Sequence, residues 1–410
     1  MSALVCRLCG ESLLRTFVDL GMSPPCETYP TADQLESGET FYPLHVRICE
    51  RCLLVQLPAY IPAEDIFADD YAYFSSYSDS WVAHAAAFVD TMVDRLHLDE
   101  NSYVVEVASN DGYLLQAVVR RGIRCLGIEP AANVAEAALA KGIPTEVSFL
   151  SERRGKELAD RYGPADLVVG NNVFAHVPDV LDFARGLRAL VADDGVVSLE
   201  FPHLLRLVEG RQYDTIYHEH YSYFSLLTAT RALSAADLVV VDVEELPSHG
   251  GSLRVFAKPS ASAAGASEAV GKVLGDEAAA GLHTVEGHDG FATSVLKVRT
   301  DLVNLLSQAA MDGLKVAGYG APGKGNTLLN HCAIRPDLLP YTVDRSLYKQ
   351  GRFLPGTHIP IHAPDHLLED RPDLIVILPW NLKKEIVNQL SEARTWGARF
   401  VVPIPELTIL

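Results

Sequence analysis

The chain has 410 residues, with 34 Lys and Arg against 53 Asp and Glu and a net charge of −19. This balance argues against nonspecific binding to a nucleic-acid backbone, which needs an excess of cations. The length suits about two to three domains. We expect neither a signal peptide nor a membrane span, and a cytoplasmic location, because no apolar run of roughly eighteen residues occurs.

Cysteines dominate the first part of the chain. Two Cys-x-x-Cys pairs, Cys6/Cys9 and Cys49/Cys52, have the spacing with which two tight turns clamp one zinc ion through four thiolates. Such a closed site has no open position for a substrate, so we predict a structural zinc in a small domain over residues 1–70. Two disulfides or four free thiols are the alternative. The remaining cysteines are interpreted as ordinary thiols: Cys26, Cys125 and Cys332.

Between residues 71 and 257, strand-like apolar runs alternate with helical patterns, which is typical of a parallel α/β sheet. A ligand of such a sheet binds at the carboxyl ends of the strands. The predicted strands are Tyr103–Val107, Arg124–Ile128, Asp166–Val169, Gly195–Glu200 and Ser252–Ala257.

The first of these strands leads into a turn of small residues, Ala108–Gly112, which lets a ligand approach the backbone closely. The second strand ends in Glu129-Pro130, and an acid at that place accepts hydrogen bonds from ribose hydroxyls. The third is followed by Asn171-Asn172, whose amides suit an adenine or an amino-acid group. The turn lacks a full G-x-G-x-x-G pattern, which favours a ligand with adenosine and no phosphate, such as S-adenosylmethionine. A surface loop between two strands is the alternative.

A second group of polar residues, Tyr217–Ser225, combines two histidines and a glutamate with aromatic side chains. Imidazole titrates near neutral pH, which suits general acid–base chemistry in a partly dry setting. If the segment is extended, His218 and His220 share one face and Glu219 takes the other. A metal site on the two histidines is one alternative, although the helical H-E-x-x-H spacing and a third ligand are missing. A core role for the aromatic residues is another.

Residues 258–410 are predicted as a further α/β domain, with a connection over Ser260–Gly281 and a helix over Phe291–Met311. The turn Gly318–Gly323 matches G-x-G-x-x-G, but Gly325 stands where a P-loop needs Ser or Thr for magnesium, which argues against nucleotide hydrolysis. A glycine turn at a helix N-terminus beside Lys324 suits the diphosphate of a nucleotide-sugar. Close packing of strand and helix is the alternative. The predicted strands are Leu314–Gly318, Tyr341–Val343, Leu374–Leu378 and Phe400–Val402.

The order of these motifs resembles that of the S-adenosylmethionine-dependent C-methyltransferases of deoxysugar biosynthesis. The motifs are the two Cys-x-x-Cys pairs, Glu106–Gly112, Tyr217–His220, Ser248–Ser252 and the glycine-rich C-terminal third, so the resemblance covers nearly the whole chain. It implies three domains: zinc-binding, central Rossmann-like methyltransferase, and C-terminal Rossmann-like α/β. It also implies transfer of a methyl group to C-3 of a nucleotide-linked 4-keto-deoxysugar.

The resemblance further implies that His220 is the base that removes the proton next to the ketone, and that Tyr217, Glu219, His176 and Tyr73 are further active-site residues. The predicted cofactor contacts are Glu106, Ala108, Asn110, Gly112, Glu129, Pro130, Asn171, Asn172 and Ser76. The predicted substrate contacts are His249, Gly250, Lys324 and Asn326. Two positions depart from the family pattern, since His218 replaces an acidic residue of some members and Ala108 replaces a glycine of many.

Two other functions fit parts of the sequence. A nicotinamide-dependent oxidoreductase of nucleotide-sugars would use the turn at Gly318, and a zinc-ribbon binding module would carry a nucleotide fold without catalysis. Binding of S-adenosylhomocysteine alone, of NAD(H) alone or of neither separates the three hypotheses. The sequence does not identify the sugar, the nucleotide or the oligomeric state. A monomer is one of the states that it allows.

Overall fold

The computed structural model describes residues 4–67, 71 and 74–410, so the predicted active-site residue Tyr73 lies outside the described part. These residues form two compact units, neither of which is contiguous in sequence. The first consists of the segment up to Leu13, Cys49–His203 and Tyr221–Thr284, and the second of Leu14–Ile48, Leu204–His220 and Val285–Leu410. The predicted boundaries at residues 70 and 257 treat each domain as one continuous stretch and stay a prediction.

A seven-stranded sheet, called here the central sheet, organises the described part of the first unit. In spatial order its strands are Leu238–Leu246, Ser252–Pro259, Val191–Pro202, Ala165–Asn171, Tyr103–Val107, Arg124–Glu129 and Thr145–Val147. The last five run parallel, and the first two run antiparallel to their neighbours. The prediction of a parallel sheet is therefore wrong for the strand that begins at Ser252. The strands at Leu238 and Thr145 are absent from the sequence-based prediction.

Helices follow most of the central strands. They are Asp79–Leu96, Leu115–Val119, Ala132–Ala140, Glu152–Tyr162, Val180–Leu190, Leu226–Ser234 and Glu268–Ala279, with a single turn at Ala63–Ile66. The helix that begins at Glu268 corrects the predicted connection over Ser260–Gly281. It forms because Val270, Val273 and Glu277 recur on one face and are buried there, despite the Ala- and Gly-rich composition. A short antiparallel pair joins Val55–Gln56 to Ser222–Tyr223.

The central sheet lies between two apolar layers, because successive residues of a strand point to opposite faces. Val105 and Val107 pack in one layer and Val104 in the other. The first layer also contains Cys6 and Cys49. Burial of a side chain of this size contributes about 1.5–3 kcal/mol, so the two layers fix the strand ends from which the turns of the site begin.

The second unit has a sheet of its own within the described residues, called here the C-terminal sheet. Its strands in spatial order are Ile361–His362, Thr342–Val343, Val316–Tyr319, Leu374–Ile377, Arg399–Val402 and Thr408–Ile409. The first five run parallel and the last is antiparallel. The four predicted strands are confirmed within about two residues, whereas the two-residue strands at Ile361 and Thr408 are too short to give a sequence pattern.

The remaining elements of the second unit are helices and a hairpin. The helices are Leu204–Glu209, Phe291–Met311, Gly323–Cys332, His366–Asp370 and Lys383–Gln389, and Arg15–Ser23 pairs antiparallel with Tyr42–Ile48. The helix Phe291–Met311 has the predicted bounds. Among the described residues, no helix combines the length and the apolar character needed to cross a membrane.

Candidate functional site

The turn after the strand Tyr103–Val107 has three residues in the left-handed region. The φ angle is 55° at Ala108, 48° at Asn110 and 78° at Gly112. A Cβ atom on Gly112 would lie 2.3 Å from Ile143 Cδ1, so a larger residue would have to displace that side chain as well as adopt a left-handed φ. At Ala108, an L-residue occupies the conformation that glycine adopts readily. The backbone of this turn is thereby presented at the carboxyl edge of the central sheet, where a nucleoside binds in such folds.

Glu129 ends the neighbouring strand, and its carboxylate is tied to this turn. Oε2 accepts a hydrogen bond from the backbone N–H of Asn110 at 2.9 Å, and Oε1 accepts one from that of Ala131 at 2.9 Å. Burial raises the pKa of Glu129 to about 6, against the effect of the two backbone donors. Each carboxylate oxygen retains a second lone pair. The group therefore fits a ribose, since it can accept two hydroxyl hydrogen bonds without losing its own anchors.

Glu106 lies one strand residue before the turn and is buried. Burial raises its pKa well above the usual range, and a hydrogen bond with the Tyr113 side chain acts in the opposite direction. Asn171 Nδ2 donates to the Tyr113 hydroxyl at 3.4 Å. Tyr113 thus joins two predicted cofactor residues that lie on adjacent strands. Sequence reasoning missed it, and its only signal is an aromatic residue placed directly after a small-residue turn.

Asp111 connects the turn to Ser76 and Lys141. Its carboxylate accepts hydrogen bonds from the Ser76 backbone N–H at 3.3 Å and from the Ser76 hydroxyl, and it pairs with Lys141 Nζ at 2.9 Å. Asn110 Oδ1 accepts a further bond from the Ser75 N–H at 2.7 Å. The predicted cofactor residue Ser76 is therefore held against the turn. The sequence analysis does not single out the two charged residues involved, Asp111 and Lys141.

Asn172 and His176 follow the strand Ala165–Asn171. Asn172 has φ 52° and donates its backbone N–H to the carbonyl of Glu200 at 2.7 Å. His176 ends a short helical turn, and its ring meets that of Phe67 edge-on with 5.8 Å between centroids. Both residues lie just beyond the carboxyl end of a central strand, which is where their sequence positions place them.

A buried ionic network at the end of the strand Val191–Pro202 has no counterpart in the sequence analysis. Glu200 Oε2 accepts hydrogen bonds from Arg254 at 2.6 Å and from His84 Nε2 at 2.9 Å, and Oε1 accepts one from the Ser248 hydroxyl at 2.7 Å. Burial raises the pKa of Glu200, but His84 and Arg254 together bring it below its usual value. The network therefore holds an ionised carboxylate at the same sheet edge.

The predicted substrate residue His249 lies beside this network. It is exposed, has φ 54° and precedes Gly250, which has φ 93°. Its ring meets the Trp81 ring edge-on at 5.1 Å, and Trp81 stacks on His84 at 4.9 Å. An aromatic surface thus connects the turn at His249 to the buried network.

Four cysteine sulfurs converge in the first unit. The Sγ atoms of Cys6, Cys9, Cys49 and Cys52 lie within 4.8 Å of one another. Zinc with Zn–S distances of about 2.3 Å in tetrahedral geometry separates its sulfurs by roughly 3.8 Å, so the four fit one ion. Gln56 Nε2 donates to Cys6 Sγ at 3.1 Å, the kind of outer hydrogen bond that orients a thiolate ligand. Among the described residues, this is the single group of three or more His, Cys, Asp and Glu side chains with metal-binding geometry.

In the second unit, Tyr217–His220 forms a tight turn in which the N–H of His220 donates to the carbonyl of Tyr217 at 2.9 Å. The segment is therefore not extended. His220 is buried, and its Nδ1 lies 2.8 Å from the carbonyl oxygen of Thr215. Because a carbonyl only accepts, Nδ1 carries the hydrogen and Nε2 is the basic nitrogen. The ring of Tyr217 lies 4.1 Å from the imidazole, centroid to centroid.

The other two ionisable side chains of this turn have different surroundings. The ring of His218 meets Tyr42 edge-on at 5.8 Å, and burial lowers its pKa. Burial raises the pKa of Glu219 to about 8, an effect that Glu27 increases and Lys349 reduces. Near neutral pH, Glu219 is therefore mostly a neutral carboxylic acid, which can donate a hydrogen bond.

The glycine turn of the second unit follows the strand Val316–Tyr319. Gly320 has φ 87°, and a Cβ atom there would lie 2.6 Å from Pro379 Cδ. The backbone N–H of Ala321 donates to Asp344 Oδ2 at 2.7 Å. Close packing thus accounts for Gly320, and the acid at the end of the next strand holds the turn as its counterpart does in the central sheet.

Lys324 and Asn326 lie in the first turn of the helix Gly323–Cys332. Lys324 Nζ lies 4.7 Å from the centroid of the Trp380 ring, and burial lowers its pKa. Asn326 Nδ2 donates to the carbonyl of Cys26 at 2.6 Å, and its buried Oδ1 has no hydrogen-bond partner among the described residues. The first turn of this helix therefore combines the ammonium group of Lys324 with the buried acceptor oxygen of Asn326.

Three family models match successive parts of the chain. They are described as "Putative zinc binding domain" over residues 6–67, "Methyltransferase domain" over residues 81–243 and "C-methyltransferase C-terminal domain" over residues 247–405. Together they span most of the chain in the order in which the motifs occur.

A relative and several solved structures are similar to the chain. The C-methyltransferase NovU of Streptomyces niveus is 36% identical over 405 residues, which are 99% of this chain and 96% of the relative. An S-adenosylmethionine-dependent methyltransferase of Anabaena variabilis shares 15% identity with a TM-score of 0.35, over 43% of this chain and 85% of its own. Magnesium protoporphyrin IX methyltransferase of Synechocystis, solved with bound S-adenosylmethionine, shares 17% identity with a TM-score of 0.32, over 47% of this chain and 88% of its own.

Proposed function

The chain belongs to the S-adenosylmethionine-dependent C-methyltransferases with an N-terminal zinc-binding domain, and we propose that it methylates a carbon next to a ketone. The acceptor that we propose is C-3 of a nucleotide-linked 4-keto-deoxysugar. A carbon of this kind becomes nucleophilic only when its proton is removed, so the reaction needs a base near neutral pH. We assign that role to His220.

The observation that carries the proposal is the hydrogen bond from His220 Nδ1 to the carbonyl of Thr215 at 2.8 Å. It fixes the ring orientation and the tautomer, as a carboxylate does for the base in other acid–base sites. The basic Nε2 is thereby set in one direction within a buried, aromatic environment. His218 contacts the Tyr42 ring instead, and backbone groups of Tyr42 and Pro43 act on its pKa against the effect of burial.

In the proposed reaction, His220 Nε2 takes the proton from the carbon next to the ketone, and the C–H electron pair forms the enolate. S-adenosylmethionine supplies the methyl group, whose bond to sulfur breaks with the electron pair left on sulfur as the new C–C bond forms. The imidazolium then releases its proton to solvent. Tyr217 and the neutral carboxyl of Glu219 are the donors that we propose for the enolate oxygen. His176 and Tyr73 stay predicted members of the site.

We propose that the carboxyl edge of the central sheet holds the cofactor, with Glu129 accepting hydrogen bonds from the ribose. The left-handed turn and the strand-end amides would contact the rest of it. The contacts that we propose there are Glu106, Ala108, Asn110, Gly112, Pro130, Asn171, Asn172 and Ser76. The four-cysteine zinc site would hold its lobe and take no part in the chemistry, because all four positions are filled by sulfur.

For the acceptor, we propose that Lys324 and the helix N-terminus beside it receive the diphosphate. Asn326 offers a buried acceptor oxygen. His249 and Gly250 are the further substrate contacts that we propose, on the aromatic surface next to Trp81. These assignments predict that binding of the nucleotide diphosphate alone depends on Lys324 and not on His220.

The test compares His220→Asn with the wild type, using thymidine- and uridine-diphosphate-linked 4-keto-6-deoxyglucose as acceptors. We expect the variant to lose methyl transfer, measured as the gain of one CH2 in product mass, and to lose solvent deuterium exchange at the acceptor carbon. Its affinity for S-adenosylhomocysteine should stay near that of the wild type, because the base does not hold the cofactor. His218→Asn is the matched control and should retain most of both activities. Deuterium exchange at the wild-type rate in His220→Asn would place the base elsewhere.

A further inference from the structure

Asp214, which precedes the turn that carries His220, forms a hydrogen bond with a side chain 166 residues away. Trp380 Nε1 donates a hydrogen bond to Asp214 Oδ2 at 2.6 Å. Asp214 is 0% exposed and Trp380 is 8% exposed, so the bond is shielded from water. A buried carboxylate that loses such a donor must turn towards another partner or take up a proton.

Asp214 is bonded through one peptide group to Thr215, whose carbonyl oxygen receives the Nδ1 hydrogen of His220. Both residues belong to the short helical turn Tyr213–Thr215. A hydrogen bond from the backbone of Thr215 also acts on the Asp214 carboxylate. A displacement of that carboxylate would therefore disturb Thr215, whose carbonyl holds the imidazole. The direction of the imidazole thus depends on how firmly Asp214 is held.

The helix Gly323–Cys332 contacts this segment through Thr327 and contacts Trp380 through Lys324. Thr327 Oγ1 donates to the carbonyl of Ile216 at 2.9 Å. Lys324 places its ammonium group over the Trp380 ring and donates to Asn381 Oδ1 at 3.1 Å. Burial raises the pKa of Asp214 to about 6, and Lys324 and the Trp380 hydrogen bond act to keep it ionised. A chain of contacts consequently runs from the glycine turn through Trp380 and Asp214 to the base.

We propose that Trp380 and Asp214 are positioning residues for His220: their hydrogen bond holds the Thr215 carbonyl against Nδ1, and Lys324 steadies the indole from the side of the glycine turn. This inference rests on the proposed role of His220. It gives a second function to Lys324, whose charge also stabilises the buried carboxylate.

The experiment uses Trp380→Phe, which keeps an aromatic ring near Lys324 and removes the N–H donor together with one of the two indole rings. Trp396→Phe is the matched control, because Trp396 Nε1 donates to the carbonyl of Pro372 at 3.1 Å in the same unit. Asp214→Asn is the conservative variant, since its amide oxygen can still accept from the indole. Zinc content and thermal unfolding are compared for all three, so that a general loss of folding is seen as such.

The first readout needs no substrate. The ring nitrogen resonances of His220, assigned by their disappearance in His220→Asn, report the fraction of the Nδ1–H tautomer. We expect this tautomer to dominate in the wild type, in Trp396→Phe and in Asp214→Asn, and to give way to a mixture of tautomers in Trp380→Phe. An unchanged tautomer in Trp380→Phe, or the same loss in Trp396→Phe, would overturn the proposal.

The second readout is deuterium exchange at the acceptor carbon of the thymidine-diphosphate-linked 4-keto-6-deoxyglucose. We expect Trp380→Phe to lower the exchange rate at saturation about tenfold to a hundredfold, with KM changed much less, because misplacement of a base affects the chemical step. A loss confined to KM would also contradict the proposal. Absence of exchange in the wild type itself would refute the proposed function, whereas the tautomer comparison stands independently of it.

Discussion

Binding of S-adenosylhomocysteine should weaken as the pH falls through about 6, because in the proposed arrangement the ionised carboxylate of Glu129 accepts hydrogen bonds from both ribose hydroxyls, and its protonated form is a weaker acceptor. Burial raises the pKa of this carboxyl to about 6, while the N–H groups of Asn110 and Ala131 keep the ionised form oriented. Ribose hydroxyls bind the ionised form better, so the pKa in the complex is lower than in the free protein. Affinity is therefore constant above about pH 7 and is lost as the pH falls below the pKa of the free protein.

The expected loss of binding free energy follows from the two hydrogen bonds that we propose between the ribose hydroxyls and Glu129. A hydrogen bond to a charged group contributes about 1.5–3 kcal/mol, but both oxygens of Glu129 already serve backbone donors. We therefore expect Glu129→Gln to cost about 1–3 kcal/mol of binding free energy at pH 8. In the wild type, the dissociation constant should rise up to about tenfold between pH 6 and pH 5.

Isothermal titration calorimetry with S-adenosylhomocysteine between about pH 5 and pH 8 measures both quantities. Glu129→Gln should bind weakly with little dependence on pH. Glu146→Gln is the matched control, because Glu146 lies on the adjacent strand and pairs with Arg154. An affinity of the wild type that stays flat across this range, or equal affinities for the wild type and Glu129→Gln, would refute the assignment of the ribose to this carboxylate.

Three other predictions follow from single positions. We expect elemental analysis to find one zinc per chain in the wild type. Cys49→Ser should lose it together with the fold of its lobe, whereas Cys125→Ser should keep it. Ala108→Gly should raise the free energy of unfolding by about 0.5–1 kcal/mol, since φ 55° disfavours an L-residue; a lower melting temperature would contradict this. The pKa of Glu219 is raised from 4.5 to about 8 in the folded state. The free energy of unfolding should therefore fall as the pH rises between these two values, by up to about 1.4 kcal/mol per pH unit. In Glu219→Gln, denaturant titrations should show that this dependence is reduced, and an unchanged slope would argue against it.

The sequence predicts most of the two sheets because their strands are short apolar runs separated by helical patterns. The prediction of helices and strands fails where the amino-acid composition of a segment disagrees with its apolar periodicity. The segment Glu268–Ala279 is rich in Ala and Gly, yet Val270 and Val273 bury one face of a helix there. The sequence does not predict the antiparallel edge strand Leu238–Leu246, because its acids Asp242, Glu244 and Glu245 interrupt the apolar run, although its burial pattern nearly alternates.

For the site, the sequence predicts what the chain order of an α/β sheet dictates. Asn110 and Glu129 belong to adjacent strand ends, and the structure brings them within a hydrogen bond. The contact of Asp214 with Trp380 cannot be predicted in this way, since it joins a turn before His220 to a short helical turn that follows the strand Leu374–Ile377. No periodicity or spacing encodes such a pair, because each residue alone has the pattern of an ordinary buried side chain.

The two sheets share one local arrangement, and its details bear on which of them takes which ligand. In each, an acid at the end of one strand accepts the backbone N–H of the turn after the neighbouring strand: Glu129 from Asn110 and Asp344 from Ala321. The C-terminal turn has the fuller glycine pattern, but the Ala321 carbonyl already accepts a hydrogen bond from Lys349 Nζ at 2.8 Å. The central turn instead combines left-handed backbone with a buried acid whose second lone pairs remain available. A count of glycines would rank the two turns in the opposite order, so the acid and its surroundings, rather than the glycine motif, favour the central sheet for the adenosine.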